Sequence, residues 1–120
     1  MYLIFFRRPY PALSVMGILI EMAPMDFEVF KASLQQETPP ELPIPLLALW
    51  YEARGDWNRA HALVQNDPTR ESAWVHAYLH RKEGDIANAR YWYNRAGRSY
   101  VESDFESEWE QIARALIESS

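Results

Sequence analysis

Hydrophobic positions along this chain recur with helical spacing. Phe27, Phe30 and Leu34 fall at i, i+3 and i+7 behind Asp26, a suitable cap, and predict a short helix to about Gln36. Pro39, Pro40, Pro43 and Pro45 then forbid a regular helix and predict a stiff connection, although Pro45 can occupy the first turn of a helix reaching Arg54. Trp57, Ala60 and Val64 mark the inward stripe of the next helix, to about Gln65. Asp67 as cap and Pro68 as first residue open a third that runs to Glu83, and Ile86, Ala89, Tyr93 and Ala96 share one side of a fourth. The last stripe is the cleanest: Phe105, Trp109, Ile112, Ala113 and Leu116, with Ser103 and Glu106 at capping-box spacing, predict a terminal helix over 103–118. Glu106, Glu108 and Glu110 crowd its first half, where the helix dipole favours negative charge, and read as an exposed acidic face. No segment alternates with period two over a useful length, so the chain is predicted to be all-α.

The centre of the chain repeats itself. Residues Ala48 to Val64 match Ala77 to Tyr93 at an offset of 29, pairing Gly55 with Gly84, Asp56 with Asp85 and Ala60 with Ala89. Each Gly-Asp pair suits a tight corner, the glycine ending one helix in the left-handed conformation and the aspartate capping the next. A fixed repeat of this size predicts stacked helix pairs.

These residues resemble the tetratricopeptide repeat. Gly84, Asp85, Ile86, Ala89, Tyr93 and Ala96 match its second half, Gly55, Asp56, Trp57, Ala60 and Val64 match a shorter copy, and Asn88 to Gly97 is similar to the Sel-like branch. The resemblance covers 45–97 and implies two antiparallel helical hairpins with a flanking helix at each end, an α-solenoid-like arrangement. The offset of 29 is shorter than the family's ~34. Asp67 stands where the first repeat expects alanine, His80 replaces the aromatic found at Tyr51, and no proline closes the second repeat. Two copies fall short of the ~3 that a stable stack needs, so the flanking helices are expected to cap it. In this pattern Trp74, Tyr78, Arg81 and Lys82, with Leu49 and Glu52 of the first repeat, face the concave groove. Aromatic anchors beside basic groups there would take a protein or peptide with an acidic end. The alternative is that Trp74 and Tyr78 simply pack beneath the N-terminal helix.

Composition narrows the chemistry. With 48% hydrophobic residues, five Trp, seven Tyr and five Phe, the 120-residue chain can bury a core. Its net charge of −5 argues against nonspecific nucleic-acid binding, and the lack of cysteine excludes disulfides, thiolate catalysis and Cys-ligated zinc and suits a cytoplasmic setting. The apolar run Ala12 to Ile20 is interrupted by Gly17 and far shorter than the ~20 residues a membrane span requires. Residues 1–24 read as an extension outside the working domain, with Met22 and Met25 as later starts, or else as a short docking element, weak signal or anchor. Residues 25–120 form the expected domain.

His76 and His80, four apart on a helix with Glu83 a turn further on, have a spacing that can serve a metal, although HAYLH lacks the glutamate of the zincin pattern. The repeat alignment sets them against Leu47 and Tyr51, which are packing positions, and His61 is remote in sequence. Arg81, Lys82, Arg90, Arg95 and Arg98 with Tyr91 and Trp92 form a basic, aromatic stretch that can hold single-stranded nucleic acid, diluted by Glu83 and Asp85. Phosphate loops and nucleophile motifs are lacking. The expectation is therefore a non-enzymatic protein- or peptide-binding module with no cofactor and no metal. A metal site through His76 and His80, a single-strand binder through 81–98 and self-association through Trp-rich surfaces are the rivals.

Overall fold

The computed structural model describes residues 25–120, and the expectations for residues 1–24 lie outside them. Six helices follow one another with no strand among the described residues: α1 (Phe27–Ser33), α2 (Ile44–Ala53), α3 (Trp57–Val64), α4 (Arg70–Glu83), α5 (Ile86–Ala96) and α6 (Phe105–Glu118). None is long and apolar enough to cross a membrane.

Local chemistry sets most of the boundaries. Asp26 caps α1 by accepting from the Val29 amide at 2.8 Å, and the helix stops at Ser33, a turn earlier than its apolar spacing predicts. The proline-rich connection that follows is tied back by Arg54, whose Nη1 donates to the carbonyls of Leu34 and Gln36 at 2.7 and 2.8 Å. The two Gly-Asp corners are built alike. Gly55 and Gly84 have φ of 89° and 92°, a region glycine enters without steric cost. Asp56 and Asp85 cap α3 and α5 through the amides of Arg59 and Asn88, and α3 and α5 begin 29 residues apart as the repeat requires.

Two helix starts differ from expectation. Thr69, and not Asp67, caps α4 by accepting from the Ser72 amide at 3.1 Å. Asp67 instead receives the hydroxyls of Thr69 and Ser72 at 2.7 and 2.5 Å, a side-chain knot that holds the turn before the helix. The last helix takes Asp104 as its cap residue rather than Ser103, without a side-chain bond to the backbone. The Ser103 carbonyl is engaged elsewhere, as acceptor of an Arg81 guanidinium N–H.

Packing follows from the stripes. α2 packs on α3 and α4 on α5, α3 joins the two pairs by lying against α4, and α6 crosses both α2 and α4 while also touching α1. The central helix is thus α4, which is surrounded on all sides: every residue from Ser72 to Arg81 is buried. One continuous core results, from Phe30 of α1 through Leu49 and Trp50 of α2, Val75 and Leu79 of α4 and Tyr93 of α5 to Ile112 of α6.

Candidate binding groove and histidine cluster

The concave residues expected to meet a partner are largely inside the protein. Leu49 and Tyr78 are 0% and 1% exposed, and Glu52, Trp74 and Arg81 are all buried. The reason is α6. Its Trp109 indole donates to the Leu49 carbonyl at 3.1 Å and stacks on Phe30 at 5.6 Å, which places the chain's own last helix across α2 and α4. The Tyr78 hydroxyl reaches the Phe105 carbonyl at 3.5 Å. Trp74 lies under the Arg98 guanidinium, 3.7 Å from its ring.

Glu108, read from sequence as part of an exposed acidic face, is buried instead. It accepts from Arg81 Nη1 at 2.7 Å and from the Tyr93 hydroxyl. Arg81 also lies 4.5 Å over the Phe105 ring, so its charge is spent within the fold and cannot clamp a ligand carboxylate. Burial raises the phenol pKa of both Tyr78 and Tyr93, with the Glu52 charge adding to the first and the Glu108 hydrogen bond to the second. Both phenols therefore stay protonated donors at neutral pH. The other arginines of the basic stretch cover aromatic faces of their own chain: Arg90 over Tyr100 at 4.1 Å and Arg95 over Trp92 at 5.6 Å. That arrangement leaves few aromatic faces for stacked bases.

Beside α6 lies a groove of about 380 Å³, within the range of small-ligand and side-chain pockets. Phe27, Tyr78, Phe105 and Trp109 supply its apolar surface, and Lys31, Lys82, Glu52, Glu106 and Glu110 its polar edge. Three of the six expected contact residues, Glu52, Tyr78 and Lys82, line it, and Leu49, Trp74 and Arg81 do not. Lys82 is ion-paired with the buried Glu52, and Glu110 with Arg114 at 2.8 Å.

The second notable constellation joins residues that sequence spacing keeps apart. His61 of α3 meets His76 and His80 of α4, with ring centroids 4.7 and 5.2 Å away. His61 belongs to the same helical stripe as Trp57, Ala60 and Val64, which is the signal that turns it inward. Trp57 stacks on His61 at 4.9 Å with its indole N–H fixed to the Leu79 carbonyl at 2.9 Å, and Trp92 stacks on His76 at 4.0 Å. The Nε2 atoms of His61 and His76 face each other at 3.1 Å, and His80 Nδ1 meets the Glu83 carboxylate at 2.7 Å. Burial, and then the neighbouring His61 and His80, lowers the His76 pKa to about 3. Burial and His80 lower that of His61, against the pull of Glu83. One nitrogen from each of the three rings lies close enough to the others to share a transition metal.

The pH dependence of stability follows from His76. Its folded pKa lies below the unfolded value of 6.5, so the unfolded chain binds the extra proton and stability falls as pH drops from 6.5 toward 3. At about 1.4 kcal/mol per pH unit, and half that slope at pH 6.5 itself, the protein is expected to lose about 1.6 kcal/mol between pH 6.5 and 5 through this group. Urea titrations at the two pH values test it against His76→Leu, which should lack that share of the loss. An identical acid sensitivity in the variant would assign the loss to other groups.

No family model, curated protein or solved structure matches this chain.

Proposed function

We propose that the chain is a two-repeat, tetratricopeptide-like binding domain that closes most of its own concave side with α6 and takes a short protein segment in the groove left beside α1. The single observation that carries this reading is the groove of about 380 Å³ with four aromatic walls. The matching Gly-Asp corners and the pairwise packing of α2 with α3 and α4 with α5 support the repeat architecture. Phe105 is the most exposed of the groove's aromatic residues at 39%, so an incoming apolar side chain would meet its ring over a floor made by Tyr78 and Trp109. Aromatic residues of this kind dominate binding energy when an apolar anchor covers them. Lys31 and Glu106 stand at the edge with opposite charges and would orient the segment more than hold it. With Arg81 consumed by Glu108, the ligand is read as an apolar anchor with charged neighbours, not as a peptide defined by an acidic end.

Selection of random peptides on the full chain, followed by calorimetry of the enriched sequences, tests the groove. The expected result is a common apolar anchor whose affinity falls at least tenfold, about 1.4 kcal/mol, in Phe105→Ala/Lys31→Glu. Both substitutions fall on exposed residues, so the fold should persist. Enriched peptides that bind parent and variant equally, or no enrichment, would remove the groove as the binding site.

A further inference from the structure

The three histidines are arranged more specifically than core packing requires. We infer that His61, His76 and His80 form a binding site for a divalent transition cation of the zinc class, held by three imidazole nitrogens with a fourth position open to solvent. This site shares no residue with the groove beside α6.

One ligand nitrogen from each ring lies within 4.8 Å of the other two. Zinc–nitrogen bonds of ~2.0–2.1 Å in a tetrahedron set ligand nitrogens about 3.3 Å apart. The 3.1 Å separation of the His61 and His76 Nε2 atoms already has that length. No separation exceeds 4.8 Å, so the set needs a closure of at most about 1.5 Å. The facing Nε2 atoms can share only one proton between them, and His76 Nδ1 is buried with no hydrogen-bond partner among the described residues. A cation bonds to both facing nitrogens at once, so the close pair is satisfied by ligation better than by a single hydrogen bond.

The surroundings fit a ligand role. Glu83 accepts from His80 Nδ1, which fixes the tautomer that leaves Nε2 as a lone pair, the carboxylate–histidine arrangement that supports metal ligands from behind. Asn88 Nδ2 stands 3.4 Å from that Nε2 and would give way to a stronger acid. Trp57 and Trp92 stack on the outer faces of His61 and His76 and hold the two rings in place. His76 and His80 are 3% and 6% exposed and form the floor, whereas His61 is only partly buried and leaves a path to solvent. An all-imidazole set selects borderline metals such as zinc, copper, nickel or cobalt, and disfavours calcium and magnesium, which take oxygen ligands. The bound ion would join α3 to α4, and so fasten the two helix pairs to each other.

Zinc chloride titrated calorimetrically into the untagged, chelator-treated full chain is expected to bind at one equivalent. His61→Ala should weaken this at least 100-fold and Glu83→Gln by about 10–100-fold. Asp85→Asn is the control, because Asp85 belongs to a second cluster with His80 and Glu83 that lacks His61 and His76. Absence of saturable binding, binding that survives His61→Ala, or binding abolished by Asp85→Asn would each overturn the site. Imidazole nitrogen chemical shifts of the parent read the same question with no substitution. All three rings should shift on adding one equivalent of zinc, and a shift confined to one or two would overturn it as well.

Discussion

Replacing Glu108 with alanine is expected to destabilise the domain by about 3–5 kcal/mol, although the residue sits in what reads as an acidic surface. Glu108 is 2% exposed and accepts from Arg81 and Tyr93, and Arg81 is 8% exposed with its other N–H on the Ser103 carbonyl. Removing the carboxylate strands a guanidinium in the interior, where water cannot replace its partner, and leaves the Tyr93 hydroxyl without its acceptor. Most of the expected loss is therefore the cost of an orphaned charge and not the worth of the ion pair itself. The distinction is measurable. Arg81→Met/Tyr93→Phe/Glu108→Leu removes the charge and the hydroxyl together and should recover most of the loss, because a desolvated pair contributes little net stability over apolar groups of similar volume. Urea denaturation of the parent, the single variant and the triple variant would decide the point. Equal losses in the single and triple variants would mean that the network contributes favourably as a unit.

The same residue shows how the sequence could be read further. Glu108 precedes Ile112 by four positions and Leu116 by eight, and so lies on the apolar line of α6. Its charge and its acidic neighbours obscure a position that the helical spacing assigns to the interior. His61 is comparable: it shares the inward stripe with Trp57, Ala60 and Val64, but its meeting with His76 depends on how α3 packs against α4. Periodicity specifies which side of a helix turns inward and says nothing of which other helix it meets there. The corners at Gly55-Asp56 and Gly84-Asp85 were legible because a left-handed glycine and a capping aspartate are local requirements. The burial of Trp74, Tyr78 and Leu49 was not, because it depends on α6 returning across helices far away in sequence. The Trp109 to Leu49 hydrogen bond spans 60 residues.

Trp109→Ala is the second substitution with a large expected effect, a loss of about 3–5 kcal/mol from the removal of a buried indole. At the scale of a domain this size, that lowers the melting temperature by about 12 °C or more. The loss should also be unevenly distributed. Trp109 stacks on Phe30 and meets Phe27 edge-on at 6.2 Å, and so holds α6 on α1 together with Arg114, which lies 4.2 Å over the Phe27 ring. Without Trp109 α1 keeps the Trp50 indole N–H on Ser33 Oγ at 3.1 Å, and the Arg54 bonds still anchor the chain just beyond the helix. The pair α4 and α5 is packed on itself and tied to α6 by the Glu108 bonds to Arg81 and Tyr93, which do not involve Trp109. Amide hydrogen exchange in Trp109→Ala is therefore expected to show the greatest loss of protection in Phe27–Ser33, a smaller loss in α6 and near-parental protection at the centre of α4. Trp109→Phe separates packing from hydrogen bonding. It keeps an aromatic ring against Phe30, gives up only the bond to the Leu49 carbonyl, and should cost about 1 kcal/mol beyond its smaller ring area. Uniform loss of protection in Trp109→Ala would show that α1 and the core open as one cooperative unit, and that α6 does not hold α1 separately.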